Sequence, residues 1–199
     1  MVFRDYYQTY KRDFIETVDG LDFEKIAALY AELDKVLTAD KQVFVIGNGG
    51  SAATAAHWAC DFGKGVNVAD SKRFKVTSLA DNMAWVSALG NDISYGAIFV
   101  EQLKNRLDPG DLLIGLSVSG QSENVSNALA FAQEKGAATA SLIGNRQGKM
   151  KDYSDLAIVI PSDDYGIVED VHMFVNHVIS QYIRKKHETS QDQPQTTRP

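Results

Sequence analysis

The chain has a single cysteine, Cys60, among 199 residues, which excludes an internal disulfide framework and fits a reducing compartment. It lacks any long uncharged apolar run, so no segment reads as a membrane span. The opening residues Met1-Val2-Phe3-Arg4-Asp5-Tyr6-Tyr7 carry charge where a secretory leader would be apolar, and a cytoplasmic protein is expected. Basic residues are in deficit: 20 Lys and Arg stand against 26 Asp and Glu, a net charge of −6 that argues against nucleic acid as the main partner. Neither the dinucleotide pattern GxGxxG nor the P-loop GxxxxGK[ST] occurs, and there is no internal repeat. What remains, 44% hydrophobic and 23% charged, is the composition of one globular domain with a proper core.

The most informative stretch is Val43-Phe44-Val45-Ile46-Gly47-Asn48-Gly49-Gly50-Ser51, followed by the helix-forming Ala52 to Cys60. An apolar strand entering a Gly-rich turn and then a helix start is a layout for holding an anion. Gly49 and Gly50 let the backbone approach closely, and free N–H groups at the positive end of the helix dipole face the ligand. Such turns also bind nucleotides or flavins, or simply reverse the chain. His57 and Asp61, four residues apart, share one helix face just past the turn and are candidates for a metal or acid–base pair. Phosphate binding and chemistry then fall in one pocket.

Around this turn the pattern alternates between strands (Gln42–Ile46, Phe74–Leu79, Asp111–Val118, Thr139–Ile143, Asp155–Ile160) and helices (Asn82–Leu89, Ala97–Leu107, Glu123–Lys135, Ile167–Lys185, besides the one after Ser51). Mostly apolar strands separated by helices mean an α/β fold with a parallel sheet covered on both faces, and ligands at the carboxyl ends of its strands. Two helices precede the first strand. Phe3, Tyr6, Tyr7, Tyr10, Phe14 and Val18 form a helical stripe on one, read as an oligomer face rather than core. Ile26, Leu29, Leu33, Val36 and Leu37 mark the other. Residues 187–199 are polar, with Gln, Thr and Pro, and read as a disordered tail.

Leu112 to Ser122 repeats the strand-to-turn layout, with Ser117, Ser119 and Ser122 clustered around Gly120 before a helix. A helix cap needs only one hydroxyl, whereas three around a glycine fit an anion nest. On the last helix, a projection from Glu169 gathers Val171, Phe174, Val175, Val178, Ile179 and Tyr182 on an apolar face. It sets Glu169, His172, Asn176 and His177 on the other side, in a chain with only four histidines. His187 falls in the tail and receives no role.

This ordered set, GNGGS with a downstream His, Ser-x-Ser-Gly-x-Ser, Gly90-Asn91-Asp92 and a late acidic/His helix, resembles the phosphosugar-binding SIS domain, most of all its phosphoheptose isomerase branch, over roughly residues 1–186. The resemblance implies a three-layer sandwich with a five-stranded parallel sheet of flavodoxin-like type. Residues 1–40 would be a helical oligomerisation segment and 41–186 the isomerase domain, in a homotetramer whose active sites form between subunits. It further implies interconversion of sedoheptulose 7-phosphate and D-glycero-D-manno-heptose 7-phosphate through an enediolate, with one zinc ion per subunit.

Matched by position, Ser117, Ser119 and Ser122 correspond to the phosphate-binding serines, Asn48 and Ser51 to the first turn, and Asp92 to an acid near the sugar hydroxyls. His57, Asp61, Glu169 and His177 correspond to the zinc ligands, with Asp61 or Glu169 as base and His177 as acid. The chain departs from the family in having Val118 for a threonine, Asp61 for a glutamate, Glu169 for a glutamine, and Gly166-Ile167-Val168-Glu169-Asp170 for an Arg-Ile-Gln-Glu run. These departures mark a divergent member. Two non-enzymatic readings stand beside the enzyme: a DnaA-binding replication-initiation adaptor of the same fold, and a sugar-phosphate sensor. The presence of four residues capable of chemistry favours the isomerase.

Overall fold

Strands β1 (Gln42–Ile46), β2 (Lys75–Ser78), β3 (Leu112–Ser117), β4 (Ala138–Ile143) and β5 (Leu156–Val159) form one sheet in a computed structural model that describes residues 1–69 and 71–191. The order is β2-β1-β3-β4-β5 and every pairing is parallel. This is the expected doubly wound sheet. Its strands are nearly all apolar because both faces are covered. Val43 and Val45 of β1, with Leu112, Ile114 and Leu116 of β3, pack on one side under α2 (Phe23–Thr38), α3 (Gly50–Cys60) and α7 (Tyr165–Gln191). Phe44, Ile46 and Leu113 point the other way, under α5 (Val100–Leu103) and α6 (Glu123–Glu134). Period-two alternation along each strand thus feeds two separate cores.

Strands β3 and β5 each begin one residue later than the sequence pattern predicts, for a shared reason. The Asp111 carboxylate turns onto the backbone, accepting from the N–H of Gln42 at 2.9 Å and of Asp108 at 2.9 Å. Asp155 does the same for the N–H and hydroxyl of Thr139, at 2.8 and 2.9 Å. The helix predicted over 97–107 is regular only over α5, after a short 3₁₀ turn at Tyr95–Ala97. Pro109 disfavours helical backbone at the residue before it, so the chain unwinds as it approaches. The helix expected over Asn82–Leu89 is α4 (Met83–Asp92), with Asn82 as its cap, Oδ1 accepting from the Trp85 N–H at 3.1 Å.

Helix α7 runs on through Gln191, so the expected tail begins as helix. Arg184 pairs with Glu188 at 2.9 Å and the Thr189 hydroxyl donates to the Lys185 carbonyl at 2.9 Å. Residues 192–199 of the expected tail lie outside the described residues. Among the described residues no helix is long and apolar enough to cross a membrane. The aromatic stripe of α1 (Phe3–Asp19) divides. Tyr10, Phe14 and Val18 pack against the core, while Phe3, Tyr6 and Tyr7 remain exposed.

The structure departs from the helical projection of α7 at four positions. His172 and Asn176, placed on its polar side, are both fully buried, while Val178 and Tyr182 from its apolar side are about half exposed. α7 leans on α3 along a face centred nearer Val168, Val171, His172 and Val175 than hydrophobicity alone indicates. Among the described residues, neither ring nitrogen of His172 reaches a partner at hydrogen-bonding geometry. Burial pushes its pKa down to about 4, against a weaker opposing effect of the Leu142 backbone.

The unfolded chain therefore takes up this proton more readily than the folded one. The corresponding stability is complete above the ordinary imidazole pKa of about 6.5 and drains away as pH falls towards 4, by roughly 3 kcal/mol in all. Thermal unfolding across pH 4–7 is expected to show a steeper acid-side loss for the native chain than for His172→Leu; parallel curves would place the proton elsewhere.

Candidate active site

The Gly-rich turn after β1 and the serine turn after β3 lie side by side, because β1 and β3 are neighbours in the sheet. Between them opens a cleft of about 360 Å³ lined by Asn48, Gly49, Gly50, Ser51, Ser117, Ser119 and Ser122, with Tyr165 and Glu169 approaching from the start of α7. Gly120 has φ +64°, a left-handed conformation that glycine adopts without strain. That bend folds the serine hydroxyls together. Ser117 Oγ lies 3.1 Å from Ser122 Oγ and 3.4 Å from Ser119 Oγ. Ser122 stands at the N-cap of α6 yet makes no capping bond, so helix capping does not account for its hydroxyl. Three hydroxyls in front of an uncapped helix start are an arrangement that could hold a phosphate group.

The first turn is held to the second by an amide pair absent from the sequence reading. Asn48 Nδ2 donates to Asn124 Oδ1 at 2.9 Å and Asn124 Nδ2 returns a bond to Asn48 Oδ1 at 2.8 Å. The Tyr95 hydroxyl adds a third bond, to Asn48 Oδ1 at 2.9 Å. Asn124 is buried, and no local pattern could have paired it with a residue 76 positions away. Asp92, by contrast, ends α4 in an exposed position bonded to its neighbour Asn91, and does not line the cleft of this chain.

Further along, α3 and α7 bring three donors together. His57 Nε2 and Asp61 Oδ2 are 3.3 Å apart, as their four-residue spacing predicts. His177 Nε2, from α7, lies 3.3 Å from His57 Nε2 and 3.6 Å from Asp61 Oδ2. Asp61 opens a π-helical turn, Asp61–Gly65, in which the Val66 N–H bonds to the Asp61 carbonyl five residues back, a local departure frequent at functional sites. Two imidazoles and a carboxylate, all within 4.8 Å of one another, form a donor set suited to zinc, and the rings are about half exposed, which leaves room for a further ligand.

Glu169, expected as the fourth ligand, is not in this group. Its carboxylate rests against Gly50, where any Cβ would collide with it, at the N-terminal end of α3. The positive end of the helix dipole favours a carboxylate there. Glu169 and His177 are eight residues apart, about 12 Å along α7, so the structure gives Glu169 to the cleft and His177 to the donor cluster.

A doubly wound sheet with a hydroxyl-lined cleft at its strand ends and a His–Asp–His donor cluster on the adjoining helices is the architecture of the sugar-phosphate α/β class. The SIS domain family model matches residues 5–144. The phosphoheptose isomerase of Geobacter metallireducens is 34% identical over 174 residues, spanning 87% of this chain and 92% of that protein. The solved phosphoheptose isomerases of Neisseria gonorrhoeae and Francisella tularensis share its fold, with TM-scores of 0.85 and 0.84 at 23% and 24% identity. They cover 92% and 93% of this chain and the whole of each of those chains. The chain belongs to the SIS domain family, in its phosphoheptose isomerase branch.

The serine turn yields a direct test. Replacing Ser119 or Ser122 by Ala is expected to weaken sugar-phosphate binding by roughly 10-fold or more, about 1.5–3 kcal/mol for a hydrogen bond to a charged group, with little change in melting temperature. Titration calorimetry with a ketose phosphate checks this, and unchanged affinity in both variants would remove the phosphate assignment.

Proposed function

We propose that this protein is an aldose–ketose isomerase acting on a sugar 7-phosphate, with sedoheptulose 7-phosphate and D-glycero-D-manno-heptose 7-phosphate as the pair interconverted. The observation that carries this reading is the adjacency of two different centres along α7, a phosphate receptor beside Glu169 and a His–Asp–His cluster at His177. An adaptor or a sensor needs the first centre at most. Its relatives bear the isomerase name, which supports the same choice.

Isomerisation through an enediolate moves a proton between adjacent carbons. It requires a base at carbon, an acid at oxygen and stabilisation of the developing oxyanion. Ser117, Ser119 and Ser122 bind the phosphate and fix the sugar chain, while Gly49 and Gly50 let it pass close to the backbone. Glu169 faces the cleft without belonging to the donor cluster, so it is free to carry the proton between carbons. Asp61 is the less suitable base, because its Oδ2 is already engaged by His57, His177 and Asn176. His177 serves the oxygen end, which requires the sugar's reacting carbons to lie between the cleft and the cluster, within reach of both side chains. A divalent ion such as zinc, held by His57, Asp61 and His177, would supply Lewis acidity towards the oxyanion.

His177→Ala is expected to lower kcat by 100-fold or more, on the order of a general acid–base contribution, while phosphate affinity stays near that of the native protein. Coupled assays with sedoheptulose 7-phosphate measure the first and calorimetry the second. Full turnover in excess chelator would overturn the metal's part, leaving Glu169 and His177 as a metal-independent pair.

The protein assembles as a homotetramer in this reading, and the exposed Phe3, Tyr6 and Tyr7 of α1 supply part of the contact. Large apolar side chains grouped on one helix end are costly to leave in water. The double substitution Phe3→Ser with Tyr7→Ser is expected to shift light-scattering mass from tetramer towards smaller species; an unaltered tetramer would assign the contact to another surface.

A further inference from the structure

Asn176 immediately precedes His177 on α7, and consecutive helical residues point about 100° apart. One helix therefore sends a buried amide and a half-exposed imidazole to the same carboxylate. Asn176 has no exposed surface, and its Nδ2 donates to Asp61 Oδ2 at 2.6 Å. That is the closest contact of this oxygen, which lies 3.3 Å from His57 Nε2 and 3.6 Å from His177 Nε2. The other carboxylate oxygen, Oδ1, sits over Gly65 in the π-helical turn, where an added Cβ would touch it at 3.5 Å. Asp61 is thus anchored at Oδ2, while Oδ1 faces the space that Gly65 leaves without a side chain.

The amide is an expensive way to fill this space. Its Oδ1 finds no hydrogen-bond partner among the described residues, and a buried unpaired carbonyl costs about 1–3 kcal/mol. An aliphatic side chain of similar volume would pack there without that cost. What the aliphatic side chain could not do is hold Asp61 Oδ2 where the two imidazoles converge.

We propose that Asn176 is the positioning residue of the His57–Asp61–His177 cluster, fixing the Asp61 carboxylate in ligating orientation before a divalent cation arrives. This rests on the reading of that cluster as the metal and acid–base centre. A carboxylate left free to rotate must be ordered when the ion binds, whereas one already held by a second residue needs no such ordering. Outer partners of this kind are typically worth 10- to 100-fold in metal affinity.

The test uses cobalt(II) as the probe on the metal-stripped full-length protein, with visible absorption reporting affinity and ligand geometry. Asn176→Leu is expected to weaken cobalt binding about 10- to 100-fold and to alter the absorption bands. The metal-free protein should melt close to the native temperature, since an unpaired buried carbonyl and a hydrogen bond to the Asp61 carboxylate are removed together. In turnover, kcat should fall while KM changes by less than about twofold, because the phosphate receptor is untouched. Asn176→Ser, whose hydroxyl is too short to reach Asp61, gives the same comparison if the leucine variant does not fold. Cobalt affinity within about twofold of native in a folded variant overturns the positioning role. His177→Ala, run in parallel, separates the two levels. If it loses cobalt while the Asn176 variants keep it, only the positioning role fails. If it binds cobalt as the native protein does, the cluster reading fails and this inference with it.

Discussion

Trp58 is wholly buried where α3 meets α7, and its indole N–H donates to the His172 carbonyl at 3.3 Å. Val171 and Val175 of α7 and Ala55 of α3 close around it in the same core. This crossing joins parts of the chain more than a hundred residues apart, and the donor cluster exists only because of it. With Trp58 turned inward, the adjacent His57 and the following turn's Asp61 emerge beside α7 at the level of His177. The same crossing dictates which α7 side chains are buried, so His172 and Asn176 enter the interior as a consequence of how tightly the two helices must approach.

The position of the cleft follows from sheet topology in a similar way. In the order β2-β1-β3-β4-β5, the chain winds outward from β1 in one direction and from β3 in the other. The helix after β1, α3, lies in one core, and the helix after β3, α6, lies in the other. At their carboxyl ends these adjacent strands therefore send their turns to opposite faces, and a crevice must open between them, as doubly wound sheets do at such a switch point. Asn48 and Asn124 bridge the crevice with paired amides, so its width is set by a reciprocal hydrogen bond. The two turns line one cleft because the topology parts them and this bridge limits how far.

Most of this was legible where local chemistry decides. Apolar runs ending in Gly49-Gly50 or in Ser117 to Ser122 mark strand ends wherever they occur, and the spacing of His57 and Asp61 guarantees a shared helix face. Legibility failed where a polar side chain's place is fixed by a distant segment. Asn176 and His172 look like solvent-facing residues to any argument from hydrophobicity, since nothing nearby reveals that Trp58 and Asp61 will pack over them. Glu169 was correctly set on α7, but its carboxylate is drawn to the start of α3 rather than towards His177. The α1 stripe was read as one surface, although only its first half, Phe3 to Tyr7, is exposed, because Tyr10, Phe14 and Val18 already face the core.

Exposure bears on the proposed chemistry. An enediolate survives only where water is excluded and fixed dipoles surround the developing charge. On one protomer the His57 and His177 side chains are 48% and 51% exposed, and a wet cluster of this kind screens its own electrostatics. Immediately beyond His177, Val178 and Tyr182 join Phe23, Ile26 and Tyr30 around an apolar groove, with Tyr30 and Tyr182 edge to face at 5.1 Å. A surface that gains from being covered thus adjoins a site that needs to be dry. Under the proposed assembly a neighbouring copy meets both demands at once, so the energy of burying the groove also strengthens every charge interaction in the cluster. One protomer holds the donor cluster in place; the proposed association would supply the low dielectric.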